Sequence, residues 1–356
     1  MPRVLLDLRM VHGRLHGIAR YALELACRLP GLAPSWTFEA LVPPGGLPAG
    51  LGPLQPSVLQ HRSWQGFLSP LEQPTLAAQL LKLSPDLFHA TSFSVPGLWP
   101  GSLVATLHDA NHLALAREYG PARSAYYRLV VGPRAARARS LLTVSNFSRD
   151  ELVRTLHIPD YRFQVVPPGV DARYQRPPAA EMRALAAQLR LPERYLLAVG
   201  NPKPYKNLAL LARLAPHLPV PLVLLAGRGT ARQLGFPAST RELLDVDEAS
   251  MPALYAGAAA LLLPSRYEGF GLPALEAMAC GTPVVAADAG ALPELTAGAA
   301  SLAPPDDLLA WREATLRLLR EPRVREEHIE KGLARAAGFS WEACAKATLA
   351  AYWRAF

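Results

Sequence analysis

The sequence predicts an α/β protein built as two Rossmann-like, doubly wound domains facing a cleft. Three observations carry this. Short apolar runs alternate with amphipathic helical stretches, the βαβ rhythm of a parallel sheet covered on both faces. The chain has 356 residues, more than one core accommodates. A Pro/Gly cluster, Val166-Pro167-Pro168-Gly169-Val170-Asp171 running to Arg176-Pro177-Pro178, interrupts the rhythm at mid-chain, after which it restarts.

In order, residues 4–8 read as a strand, followed by a loop and a helix over about 17–29. Further strands are expected near 38–42, 87–90, 103–107, 141–144 and 164–166, with helices near 75–83, 121–131 and 145–156. The second series opens with a strand at 195–199 and a helix at 207–214. Strands at 222–226, 260–263 and 284–286 follow, with helices between them. The last stretch, 341–356, reads as a long helix with apolar residues on several sides. The domains are thus expected at 1–176 and 177–340, with the last helix packing back on the first.

Half of the residues are hydrophobic and 19% are charged, the balance of a folded chain. Cys27, Cys280 and Cys344 are far apart and odd in number, so they read as small buried hydrophobes in a reducing compartment. Met1-Pro2-Arg3 leads straight into a strand, so no leader is expected. No apolar run approaches the roughly 20 residues that span a bilayer. The expectation is a cytoplasmic chain. Its formal charge of +8 is uneven: residues 1–176 hold 18 Lys/Arg against 11 Asp/Glu, and residues 177–356 hold 19 against 18. An anionic membrane surface, an anionic substrate or nucleic acid are the partners such charge allows. The stretch from Tyr119 to Arg149 contains Arg123, Arg128, Arg134, Arg137, Arg139 and Arg149 and no acid, with Tyr126 and Tyr127 among them. This favours peripheral contact at the inner face of a membrane. Nucleic acid is not expected, since no motif beyond charge supports it.

The most informative stretch is Pro264-Ser265-Arg266-Tyr267-Glu268-Gly269-Phe270-Gly271-Leu272-Pro273-Ala274-Leu275-Glu276-Ala277-Met278-Ala279-Cys280-Gly281-Thr282-Pro283-Val284-Val285. It follows an apolar strand. Glycines at 269 and 271 let backbone approach a ligand, and a helix starting near Leu272 aims its free N–H groups at the same place. Glu268 and Glu276 can face the crevice if the turn folds back, and a carboxylate accepts two sugar hydroxyls at once. Taken alone, Glu276 reads as a solvated helix face and Glu268 as a loop carboxylate. A second stretch, Val199-Gly200-Asn201-Pro202-Lys203-Pro204-Tyr205-Lys206-Asn207-Leu208, sets two lysines before a helix, suited to a diphosphate leaving group. In the first half, Gly13 and Gly17 frame the loop after the first strand, and His108 with Asp109 closes the strand near 103–107. With no His/Cys cluster and no carboxylate triad, neither a divalent ion nor another cofactor is expected.

The 264–285 stretch resembles the signature of the family 4 retaining glycosyltransferases, whose two-domain architecture is called GT-B. That pattern has two glutamates separated by seven residues, around Gly-Phe-Gly-Leu and before Glu-Ala-Met-Ala-x-Gly-x-Pro-Val-Val. The resemblance implies that Glu276 holds the nucleotide's ribose and Glu268 the donor sugar, while amides of Gly269, Phe270, Gly271 and Leu272 meet sugar or phosphate. It matches Gly200 and Lys206 to the family's Gly and phosphate-binding Lys. Asn201 departs from the family's Arg, which leaves the second phosphate contact open, with Lys203 as the candidate to supply that charge. It sets Gly17 near the diphosphate and His108 beside the reacting centre. The segments at 144–148 and 166–171 also resemble the family and read as structural. The likeness is weakest over 47–84, which would face the acceptor. It implies a nucleotide-diphosphate sugar as substrate, of the GDP-mannose or UDP-glucose class, and a glycan or lipid-linked acceptor. The 108–152 region is most similar to bacterial mannosyl and related transferases of surface polysaccharide assembly. A nucleotide-sugar epimerase or phosphorylase of the same architecture, or a non-catalytic nucleotide-sugar binding protein, is the alternative.

Overall fold

The computed structural model describes residues 1–12, 16–48, 54–115, 118 and 120–356, apart from the side chains of 121–123. Gly13 and Tyr119 lie outside the described residues. The chain forms two compact units, one of Met1–Gly169 with Trp341–Phe356, the other of Val170–Ser340. The division falls inside the Pro/Gly cluster, after Gly169, rather than after Arg176. Val170 already pairs with Ser340, and the Tyr174 ring packs on Tyr255 at 6.0 Å, both within the second unit.

Among the described residues, the first unit holds a seven-stranded sheet: β1 (Arg3–Asp7), β2 (Thr37–Val42), β3 (Leu59–Arg62), β4 (Leu87–Ala90), β5 (Ser102–Thr106), β6 (Ser140–Thr143) and β7 (Phe163–Val165). The spatial order is β3-β2-β1-β4-β5-β6-β7, parallel throughout. The second unit holds six strands: β8 (Leu196–Val199), β9 (Leu222–Leu225), β10 (Arg241–Glu242), β11 (Ala260–Leu263), β12 (Val284–Ala287) and β13 (Ser301–Ala303). Their order is β10-β9-β8-β11-β12-β13, again parallel. Strands covered on both faces must be apolar on both, which is why β4, β11 and β12 are buried at every position. In each sheet the winding reverses once, between β1 and β4 and between β8 and β11. Loops leaving such a pair diverge and open a crevice at the strands' C-terminal ends. The two units are therefore doubly wound α/β domains.

Two local departures from the sequence reading have physical causes. The helix expected over 121–131 is α-helical over Pro121–Tyr126 and widens to a π-turn over Tyr127–Val131 before Gly132-Pro133. Pro133 has no N–H to continue the ladder, and π-turns cluster at functional sites. β3, β10 and β13 were not foreseen, because they are short edge or near-edge strands with mixed sequences such as Leu59-Gln60-His61-Arg62.

The last helix, Trp341–Ala355, lies on the Gly17–Leu32 helix and on β5 and β6. It buries Trp341, Cys344, Ala345, Ala351 and Tyr352, and Trp353 packs edge-on against Trp36 at 4.6 Å. Tyr352 also makes a polar contact. His89 is fully enclosed, with Nδ1 bonded to the Tyr352 hydroxyl at 2.6 Å and Nε2 to Thr106 Oγ1 at 2.8 Å. Thr106 in turn meets the Tyr21 hydroxyl at 3.0 Å.

Burial pushes the His89 imidazole down to about 3, and lowers half-buried His108 to about 4. Both lie below the roughly 6.5 of an unfolded chain. Below that value the unfolded chain takes up protons that the folded chain refuses. Stability is therefore full above about pH 6.5 and is lost as pH falls towards 4. Urea midpoints measured from pH 7.5 to 5 should decline, and the decline should be shallower in His89→Gln. A midpoint independent of pH, or an equal slope in the variant, would contradict the buried neutral imidazole.

Candidate functional site

The β8/β11 reversal of the second unit gathers most of the residues singled out in the sequence. After β8, the chain passes Gly200 and a 3-10 turn, Pro204–Lys206, into the Leu208–Leu214 helix. Asn207 takes a left-handed φ of 54° there, and its amide donates to the Pro305 carbonyl at 2.8 Å. After β11, the chain passes Glu268 and Gly269 into the Leu272–Ala279 helix. The two loops are tied together, since the Arg266 N–H donates to the Tyr205 carbonyl at 2.8 Å.

This placement brings Lys206 and Glu268 together. The Lys206 ammonium donates to Glu268 Oε1 at 2.6 Å, with 14% and 11% of the two side chains exposed. Water screens so enclosed a pair weakly, and each charge needs the other. The ammonium has three donors, so it can keep Glu268 and still meet an anion. Lys203 is exposed, its ammonium 5.9 Å from the Tyr205 ring centroid against 5.5 Å for Lys206. Asn201 folds back locally: its side-chain oxygen accepts the Lys203 N–H at 3.3 Å, shaping the loop that carries the lysine.

Gly271 precedes the Leu272–Ala279 helix at φ 107°, and a methyl there would stand 2.8 Å from Leu292 Cδ2. Only glycine meets both demands. Pro273 occupies the helix's first turn, where its missing N–H is harmless. Phe270 is buried against Phe339, at 5.7 Å between centroids. Glu276 lies one turn into the helix, 9% exposed, and accepts a hydrogen bond from the Tyr255 hydroxyl at 2.9 Å. Tyr255 is fully buried, and burial together with the Glu276 charge raises its hydroxyl well above the usual range, so it stays a donor. The same burial and carboxylate push the Cys280 thiol up to about 12, which leaves it inert. Sequence reasoning missed Tyr255 and the Lys206–Glu268 pair. The signal for Tyr255 was a lone phenol in the apolar run Met251-Pro252-Ala253-Leu254-Tyr255-Ala256.

His108 and Gly17 belong to the first unit. His108 Nε2 lies 2.9 Å from the Thr91 carbonyl, and a carbonyl only accepts, so Nε2 carries the hydrogen. With the ring neutral, Nδ1 is then the lone-pair nitrogen. The ring stands edge-on to Tyr21 at 4.8 Å. Gly17 starts the Gly17–Leu32 helix, capped by His16, whose Nδ1 accepts from the Ala19 N–H. Ile18, His108, Asp109 and Asn111 border a small hollow of about 40 Å³. Phe93, His112 and Tyr127 are shared with a larger one of about 480 Å³ that also touches Ser69, Gln73 and Tyr126. Behind it Arg9 is buried, bonded to both Asp7 oxygens, to Glu72 and to Ser94.

Among the described residues, no three His, Cys, Asp or Glu side chains stand together as metal ligands. Asp245-Val246-Asp247 does form an Asp-x-Asp spacing, which the expectation of no metal passed over. Both carboxylates are exposed, and Asp247 accepts the Ser250 N–H at 2.7 Å ahead of the Met251–Gly257 helix. The basic run also needs correction. Tyr127 is buried, Arg149 pairs with Asp150 at 2.8 Å and Arg134 is half-buried, so these three do not form a free cationic or aromatic surface. Arg123 has no described side chain.

Two doubly wound units, the second with a Gly-Phe-Gly turn running into a helix and with Glu268 before that turn and Glu276 after it, have the architecture of a GT-B glycosyltransferase. Residues 15–174 match the family model described as Glycosyltransferase Family 4, and residues 184–335 match Glycosyl transferases group 1. The chain is 33% identical over 281 residues to the O-antigen chain mannosyltransferase B of Escherichia coli, covering 75% of this chain and 74% of that one. It is 35% identical over 223 residues to a D-inositol 3-phosphate glycosyltransferase of Mycobacterium avium, where it covers 58% of this chain and about half, 52%, of the relative. In fold it is similar to Anabaena HepE in complex with UDP and glucose, at TM-score 0.78 and 18% identity over 98% of this chain and 99% of that one. The chain belongs to glycosyltransferase family 4.

Gly290 tests the rigidity of the site. Its φ is 63°, and a methyl there would stand 2.7 Å from the Glu268 nitrogen and 3.0 Å from its carbonyl oxygen. Gly298 has φ 84° with nothing within 4 Å. Gly298→Ala should cost about 1–2 kcal/mol, the left-handed penalty alone. Gly290→Ala should cost roughly 2–4 kcal/mol, because backbone cannot step aside. Equal losses in urea unfolding would mean that the packing on Glu268 is looser than described.

Proposed function

We propose that this glycosyltransferase moves a hexose, mannose before glucose, from a nucleotide-diphosphate donor to a glycan or lipid-linked acceptor, with retention and without a metal ion. The observation that carries the reading is the Lys206–Glu268 pair at the β8/β11 reversal, beside the helix start at Leu272. A cation and a carboxylate meet there, with the start of a helix following in the same loop, which is what a sugar diphosphate requires. In this reading Lys206 and Lys203 hold the diphosphate. Gly200 and Gly17 let their loops approach it, and the amides of Gly269, Phe270, Gly271 and Leu272 meet phosphate or sugar. Glu276, oriented by Tyr255, accepts the ribose hydroxyls, and Glu268 accepts hydroxyls of the transferred sugar. His108 accepts a further sugar hydroxyl through Nδ1.

In the transfer the bond from C1 to the diphosphate oxygen breaks, and its electron pair stays on that oxygen. The acceptor oxygen bonds C1 from the same face, and its proton passes to the departing phosphate. No side chain is needed as base. Mannose is favoured by the name of the O-antigen relative, and the UDP and glucose bound to HepE keep UDP-glucose second.

For the acceptor, the hollow of about 480 Å³ bounded by Phe93, Tyr126 and Tyr127 suits a sugar ring. Exposed Arg128, Arg137 and Arg139, with Leu129 at 76% exposure, support reversible contact with an anionic lipid surface. Among the described residues no helix is long and apolar enough to cross a membrane. Docking on vesicles should require anionic lipid, fade with salt, and weaken in Arg137→Glu/Arg139→Glu. Binding indifferent to lipid charge would remove the electrostatic contact.

Calorimetry with GDP, UDP and ADP, followed by transfer assays with the matching sugar donors, tests the reading. Glu276→Ala should weaken the free nucleotide by about one to two orders of magnitude, while Glu268→Gln should spare the nucleotide and depress turnover. Most of the rate should persist in excess EDTA. An unchanged nucleotide affinity in Glu276→Ala removes the ribose assignment. A rate that collapses in EDTA and returns with magnesium removes the metal-free one.

A further inference from the structure

The opposite end of the second sheet's central strands carries a separate charged hollow. Lys206 and Glu268 follow the C-terminal ends of β8 and β11, whereas Tyr195 and Ala259 lead into the same two strands at their N-terminal ends and border this hollow of about 510 Å³. Arg176, Arg183, Arg194 and Arg325 surround it. Among the described residues none of the four has a carboxylate within ion-pair distance, and Glu193, the one acid on the rim, pairs with none of them.

Two of the guanidinium groups are anchored. Arg194 donates to the Leu319 carbonyl at 2.7 Å, and Arg325 donates to the Ala259 carbonyl. Each keeps further N–H donors after that single bond. Burial, and then the neighbouring charges of Arg194 and Arg176, hold Arg325 below its usual range, so Arg325 lies within electrostatic reach of both. Like charges gathered without a counter-charge raise the energy of the empty fold, and an anion lowers it. The floor between them is apolar, formed by Met182, Ala186, Leu191 and Ala256. Among the described residues, none of the exposed large hydrophobic side chains borders the hollow, so its rim offers nothing to enter a bilayer. Its volume suits a small molecule.

We propose that this hollow is a second ligand site, taking a soluble phosphorylated small molecule whose phosphate is gripped by Arg176, Arg194 and Arg325 and whose less polar part lies over Met182 and Leu191. Guanidinium forks match phosphate oxygens in pairs, which a lysine cannot do. The site is independent of the donor reading, being built from other residues at the N-terminal ends of the strands.

The test is calorimetric titration of the full chain with pyrophosphate at about 0.15 M salt, where diffuse surface charge is screened. Lys206→Ala removes one phosphate contact of the donor site and should weaken that binding event while leaving the second. Arg176→Ala, added to it, should weaken the second event about tenfold or more, with Arg176→Lys falling between. Arg176 makes no structural bond among the described residues, and a thermal melt unchanged from that of Lys206→Ala alone checks that both Arg176 variants fold. Absence of pyrophosphate binding in Lys206→Ala, or binding indifferent to Arg176, overturns the proposal. Retention on phosphatidic acid vesicles that depends on Arg176 would also overturn it, in favour of a lipid headgroup. Failure of the donor reading would show differently, as nucleotide binding untouched by Lys206→Ala with the Arg176 effect intact.

Discussion

The adjacency of β8 and β11 governs the second unit. Lys206 and Glu268 are 62 residues apart, yet the strands that precede them are neighbours in the sheet, and their side chains meet at 2.6 Å. Such an enclosed pair adds little net stability, but removing one partner strands the other charge. The surroundings are accordingly rigid. The Ala291 N–H holds the Glu268 carbonyl at 3.0 Å, Gly290 packs on the Glu268 backbone, and Asn207 anchors the far end of the lysine turn to Pro305. The glycines at 271 and 290 are demanded by φ and by contact together, so they belong to the pair's support as much as to the turns they make.

In the first unit the corresponding constraint is the return of the chain. The last helix closes a polar chain of Tyr352, His89, Thr106 and Tyr21, and Tyr21 presses edge-on against His108. Every polar group in that series is satisfied within the core, as burial requires. Such satisfaction fixes ring orientation. Burial keeps His89 neutral, and the Thr91 carbonyl fixes the His108 tautomer. A chain lacking residues 341–356 would leave His89 Nδ1 and a wide apolar face exposed.

Much of this was legible in the sequence, for identifiable reasons. Buried parallel strands are uninterrupted apolar runs, so β1, β4, β8, β11 and β12 stood out. Edge strands such as Leu59-Gln60-His61-Arg62 and Arg241-Glu242 carry polar residues and did not. The spacing of Glu268, Gly271 and Glu276 is local, and the turn it encodes formed as the motif suggested. What was not legible is contact between distant segments: Lys206 with Glu268, Tyr255 with Glu276, Arg9 with Glu72. Nor does charge counting reveal occupancy. Arg149 looked like a free cation and is paired with Asp150, while Tyr127 looked like a surface ring and is core.

The two reversal points also differ in how their charge is balanced, and this separates their chemistry. Beside β1 and β4, Arg9 is fully buried and spent on Asp7, Glu72 and Ser94, and these opposite charges outweigh desolvation and raise its already high pKa. Arg9 is therefore not left to address an anion. The first unit instead presents a neutral imidazole and an aromatic hollow, which suit hydroxyls and ring faces. Beside β8 and β11, Lys206 keeps 14% of its side chain open and donors beyond the one given to Glu268, with Lys203 exposed nearby. A fold used twice in one chain thus balances its charge in two ways: the first crevice satisfies Arg9 internally, and the second leaves its lysines within reach of solvent.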